Sequence, residues 1–224
     1  MDLLSDPDNL DLYLTGFSWI LRLTGAGALG ALVLGVILAG FRVSPIPVLR
    51  GFGAAWVNIF RNTPLTLIIF FCYFGLFSTL GLSLAEEIDL NNFWLGVVGL
   101  SVYTAAFVCE AIRSGINTVP AGQAEAARAI GLSFFQVLRM IVLPQAGRAV
   151  IAPLGSIFIA LAKNSTIVGT IGLAESSNAM KTLINDYGSQ TILIFLIFAG
   201  TFAAVLIPTG YLFGWLANRL AVKR

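Results

Sequence analysis

The chain has no histidine among its 224 residues, and only 11% of them are charged. The first absence removes the commonest general base and the commonest metal ligand together. The second sets the chain apart from soluble domains, where about a quarter of residues carry charge. Cysteine is almost missing as well. Cys72 and Cys109 stand apart in apolar runs, where thiols act as small hydrophobes rather than as a disulfide or a metal site. No metal site is therefore expected. A phosphate-binding G-x4-G-K-[ST] sequence is also lacking, so the chain is not expected to hydrolyse ATP itself. Its first residues are acidic where a cleavable signal peptide would be basic, so none is expected.

What is present is apolar: 58% of the residues, enough for roughly five or six membrane spans of about 20 residues each. About five runs satisfy the criterion, at 23–41, 62–85, 90–109, 149–174 and 187–218. The third is expected to continue as helix through Glu110 and Arg113, the fourth is interrupted by Lys163, and the fifth carries Pro208 as an expected kink. The reading is an all-α, polytopic membrane helix bundle formed by a single domain over residues 1–224. In the first run, Ala26/Gly30, Ala31/Gly35 and Gly35/Ala39 are small residues four apart, which lets a neighbouring helix approach closely.

Charge supplies an orientation. The N-terminal tail holds Asp2, Asp6, Asp8 and Asp11 without a Lys or Arg. Arg42, Arg50 and Arg61 follow the first run, and Glu86, Glu87 and Asp89 follow the second. Arg113, Arg128, Arg139 and Arg148 follow the third. A nearly neutral loop with Glu175, Lys181 and Asp186 follows the fourth, and the chain ends with Arg219, Lys223 and Arg224. Basic and basic-poor segments alternate, which predicts the N-terminus outside and the C-terminus in the cytoplasm.

The basic segment at 118–147 does not read as a slack connector. Its stretch from Gln123 to Ile130 is rich in helix formers, and Gly131 suits a C-terminal turn. Ser133 followed by Gln136 fits a capping box opening a second helix, expected to stop at Pro144. Two short helices at an angle would form a rigid elbow able to pass on a push from a partner.

Here the residues resemble a known family. Glu125-Ala126-Ala127, Gly131 and Ile141-Val142-Leu143-Pro144 match the EAA-x3-G-x9-I-x-L-P signature of permease subunits of bacterial ABC importers. Further stretches are similar to permeases for polar amino acids: Arg61-Asn62-Thr63-Pro64-Leu65, Phe107 to Ile116, and Lys163-Asn164-Ser165-Thr166. The chain looks most like glutamate importer permeases of actinobacterial type, which share the segments at 42–45, 61–67, 113–119 and 122–128 and a C-terminal RLAVK. The resemblance implies an ABC importer permease fold in the bacterial cytoplasmic membrane. It implies that Glu125, Ala126, Ala127, Gly131, Leu143 and Pro144 couple the chain to a cytoplasmic ATPase dimer, which binds ATP and Mg. It also implies a second permease subunit, more in keeping with a heterodimer than a homodimer, and an extracytoplasmic substrate-binding protein. No cofactor is expected in this chain, and no nucleic acid.

Charged groups within spans are costly unless paired or hydrated, so they become functional candidates. Lys163, Asn164, Ser165, Thr166, Glu110, Arg113, Tyr103, Thr104 and Arg61 form the candidate substrate pathway. Glu110 and Arg113, three apart, can equally form a structural pair, and Arg22 and Arg61 can snorkel to headgroups. The Lys163 segment looks alike in permeases for other amino acids, so glutamine, aspartate or a basic amino acid remains the alternative substrate. A membrane enzyme would need a catalytic constellation that the sequence does not offer. A channel or scaffold subunit would have no use for the elbow.

Overall fold

The computed structural model describes residues 3–220; Asp2 of the acidic tail and Lys223 and Arg224 of the basic tail lie outside them. The described residues form helices and short connections. Helix α1, Pro7–Val43, is 37 residues long, about 55 Å at 1.5 Å per residue. It starts well before the apolar run at Leu23. Pro7 occupies its first turn, and the Asp6 carboxylate accepts the Asp8 N–H at 3.0 Å.

Helix α4, Ile88–Asn117, is the centre of the bundle. Of its most apolar stretch 61% is buried, against 11% for the last span. It packs along α1 where the small residues were noted: a Cβ at Gly35 would meet Val108 Cγ1 at 2.5 Å, and one at Gly30 would meet Ser101 Cβ at 2.9 Å. Two helices come this close because those positions carry almost no side chain.

Between them, the second run, read as 62–85, is preceded by a helix of its own and is helical only as far as Thr79. Helix α2, Pro47–Asn62, stops at extended Thr63 and Pro64, and α3, Leu65–Phe70, opens into π-helical turns over Phe71–Thr79. The two parts are bent by 104°. Pro64 lacks an N–H and drives the preceding Thr63 into extended backbone, so the break is local chemistry. The helix also ends before Ala85, with a positive φ of 68° at Gly81.

The elbow consists of α5 (Ala121–Ala129), α6 (Phe134–Val137) and α7 (Leu143–Ala149). Gly131 makes the turn with φ 92°, and both bonds of the Ser133–Gln136 capping box form. Pro144 does not end the second helix as expected. Wider π-helical turns over Leu138–Val142 carry the chain into α7, which accommodates Pro144 in its first turn. Gln145 Nε2 donates to Gln123 Oε1 at 2.7 Å and braces α7 against α5.

Helix α8, Ile151–Asn164, tightens into 3-10 turns over Ser165–Ile171 and ends at Gly172, whose φ is 94°. Surface helix α9, Ser176–Asp186, and α10, Thr191–Leu220, complete the described chain. Pro208 lies inside α10 without ending it. Among the described residues, four helices are long and apolar enough to cross a membrane, and the bent pair brings the number to as many as five.

Candidate functional site

The sequence candidates fall into three places. The first is a cavity of ≈ 130 Å³ between α4 and α8, lined by Tyr103, Thr104, Phe107, Ile157, Ala160, Leu161 and Asn164. Tyr103 and Phe107 are four apart and share one face of α4, with their rings 5.0 Å apart. Apolar walls with one hydroxyl, one phenol and one carboxamide suit a small polar solute that sheds water as it enters.

The second place lies one turn along α4. Glu110 receives Arg113 through both carboxylate oxygens, at 3.1 and 3.0 Å, as a structural pair would. Two further arginines join it: Arg42 from the end of α1 at 3.3 Å and Arg61 from the end of α2 at 3.8 Å. One carboxylate thus ties three helices and leaves the cluster with surplus positive charge. The Arg61 guanidinium also stands over the Phe107 ring, 5.6 Å from its centroid, so the cluster abuts the cavity wall. Arg42 escaped the sequence reading as a site residue. Its place at the same end of the bundle as Arg61 was visible in the charge pattern, but its partner was not.

The third group does not converge on the cavity. Lys163 is exposed, whereas neighbouring Asn164 lines the wall. Ser165 is fully buried and donates its hydroxyl to the Ala162 carbonyl at 2.8 Å. Thr166 donates likewise to the Lys163 carbonyl at 2.8 Å. Both hydroxyls hold the 3-10 turn in shape rather than face a solute. Arg22 stacks over Trp19 at 5.0 Å, which uses its cation at the side of α1.

At the elbow, Glu125 and Ala126 are exposed while Ala127 is buried. Around them Ile130, Phe134, Phe135, Met140 and Leu143 are exposed, and Ile130 and Phe135 reach 82% and 78%. Exposed apolar side chains on a braced support are the kind of surface that a protein partner or a membrane covers. Glu175 was overlooked except as a loop charge. It is fully buried at the start of α9, and the Glu-Ser-Ser-Asn run that caps this helix was its sequence signal.

A bundle of apolar spans, holding a small cavity with a few polar groups beside an arginine cluster and presenting a rigid elbow at one end, has the build of a multi-pass membrane transport component. Comparison with known proteins makes that particular: residues 31–222 match the family described as binding-protein-dependent transport system inner membrane component, and the chain belongs to it. It is 48% identical to the glutamate transport system permease protein GluC of Corynebacterium efficiens, over 92% of this chain and 93% of that one. It is 41% identical to the probable glutamine ABC transporter permease protein GlnM of Bacillus subtilis, over 95% of each. Among solved structures, an amino acid ABC transporter crystallised with histidines superposes with a TM-score of 0.85 at 26% identity, covering 98% of this chain and 99% of that one.

Proposed function

We propose that the chain is the permease subunit of an ATP-driven importer that carries glutamate across the bacterial cytoplasmic membrane. The 48% identity with a glutamate permease along almost the whole chain carries this reading. In it, residues 1–224 act as one transmembrane domain with the N-terminus outside, as the alternation of basic and basic-poor segments requires. The elbow at 118–147 docks on a separate ATPase dimer that binds ATP and Mg. Glu125 and Ala126 offer the exposed contact, Ala127 seats α5, Gly131 sets the angle, and Leu143 and Pro144 close the patch. A second permease subunit, in a heterodimer, and an extracytoplasmic binding protein complete the assembly.

The substrate passes Tyr103, Thr104 and Asn164 at the cavity and then the Arg61, Glu110 and Arg113 cluster. Exposed Lys163 draws its carboxylates from beside Asn164, and Ser165 and Thr166 keep that segment in register. The surplus guanidinium charge favours an anionic solute at the far side of Phe107. Closure of the ATPase dimer shifts the population between inward- and outward-facing bundles through the elbow.

Uptake of labelled glutamate, aspartate, glutamine, arginine and histidine, in cells with and without the gene, tests the reading. Loss of glutamate uptake on deletion, reproduced by Glu125→Lys with the protein still in the membrane, is the expected outcome. Loss of glutamine uptake instead would favour the substrate named for the 41% identical relative and overturn glutamate. Unchanged uptake of all five would overturn transport.

A further inference from the structure

The connection after the fourth span holds a carboxyl group that the transport pathway does not use. Glu175 is fully buried, and every hydrogen-bond partner it has is neutral. Its Oε2 accepts the Ser177 N–H at 2.8 Å and faces the Ser176 hydroxyl at 3.4 Å, while Oε1 faces the Asn178 N–H at 3.3 Å and pairs with the Ser177 hydroxyl. A serine or aspartate would cap α9 equally well without placing a longer acidic side chain in the interior. The extra length lays the carboxyl against Gly169, where any Cβ would overlap Oε1.

The group therefore reaches across to the 3-10 segment, and its neighbours do the same. Asn178 Nδ2 donates to the Gly169 carbonyl at 3.0 Å and the Leu173 carbonyl at 2.8 Å. Ser177 Oγ lies 3.3 Å from the Thr166 carbonyl as well as against Glu175. A hydroxyl has one proton, so it can donate to only one of these two acceptors. Both contacts become hydrogen bonds when the carboxyl is protonated: Glu175 then donates to Ser177 Oγ, and Ser177 donates to the Thr166 carbonyl. Burial, the largest influence on Glu175, pushes its pKa up in the direction this relay needs.

We infer that Glu175, Ser177 and Asn178 are positioning residues that lock surface helix α9 to the segment Ser165–Ile171, so that contact of the extracytoplasmic binding protein with α9 is passed to Asn164 at the cavity wall. The exposed face of α9, with Lys181, Thr182, Asn185 and Asp186, is the input, and its polar character fits a soluble partner. Thr166 is the point of transfer. Its hydroxyl is bonded to the Lys163 carbonyl, so a displacement of its backbone is carried into the last turn of α8. The inference rests on the importer reading, which supplies the binding protein.

The test uses the complete importer in lipid nanodiscs, with ATPase activity measured with and without glutamate-loaded binding protein. Ser177→Ala and Glu175→Ala are expected to lose about fivefold of the stimulation while basal ATPase activity stays near wild type. Glu175→Gln keeps a donor toward Ser177 and an acceptor toward the Ser177 N–H, so it is expected to retain stimulation. A merely structural role would lower both activities together, and that result would overturn the lock. Full stimulation in Ser177→Ala would overturn it too, with the importer reading left standing. Absence of stimulation and of glutamate uptake in the wild-type complex would remove both.

Discussion

Glu175 is a residue whose environment works against its usual charge. It lies outside the membrane-spanning segments, and only burial and neutral hydrogen-bond donors act on it, with burial the stronger. Its pKa in the folded protein is therefore raised above the unfolded value. The stability linked to such a group is fully present below the unfolded pKa and is lost as pH rises through the folded one. Glu175→Gln has no proton to lose. Its melting temperature is expected to match wild type in acid and to exceed it by a growing margin as pH rises through the folded pKa, then level off above it. Thermal unfolding of the two proteins across that range, read as a difference, isolates this carboxyl from all others. A margin that shrinks as pH rises would contradict the assignment.

At the scale of the element, the elbow was legible in the sequence because its signals are local. The Ser133–Gln136 box and the turn at Gly131 depend on residues within four positions of one another. Pro144 was misread as a stop because the π-helical turns at Leu138–Val142 just before it change what a proline meets, and no residue type marks such turns. Thr63–Pro64 stands at the edge of the run at 62–85, and what went unread is that the residues before it, with Arg50 and Arg61 among them, form a helix of their own bent against it. Arg42 was opaque for another reason, since its partner Glu110 comes from another element. The hydrogen-bond partners of Glu175 are local, at 176–178, and what stayed hidden was its burial against Gly169. Gly131 lends itself to measurement. Its positive φ makes Gly131→Val cost about 1–3 kcal/mol, on the order of fivefold or more in the fraction of correctly angled elbows. Asparagine tolerates this backbone better. Glutamate uptake is expected to fall in the order wild type, Gly131→Asn, Gly131→Val at equal protein levels, and equal uptake in all three would exclude a set angle.

For the whole molecule, the cluster at Glu110 fastens α1, α2 and α4 at one end, as the glycine contacts fasten α1 to α4 along their length. Neutralising its only carboxylate leaves Arg42, Arg61 and Arg113 facing one another. Glu110→Gln is expected to destabilise the protein by about 1–3 kcal/mol, measured by thermal unfolding in nanodiscs. Adding Arg42→Gln should cost less than it does alone, because the two changes share one interaction. Additive losses would show that the arginines act independently.

The bent second span has a consequence for the surrounding lipid. Its Leu65–Thr79 arm extends no more than about 22 Å even at α-helical rise, well short of a hydrocarbon layer about 30 Å thick. Lipid next to that arm is expected to thin, or headgroups to dip toward it, while the far longer α1 imposes no such demand. Acyl-chain length is then expected to act as a load on the break at Thr63–Pro64, with membrane composition becoming one of the forces on the angle between the two arms.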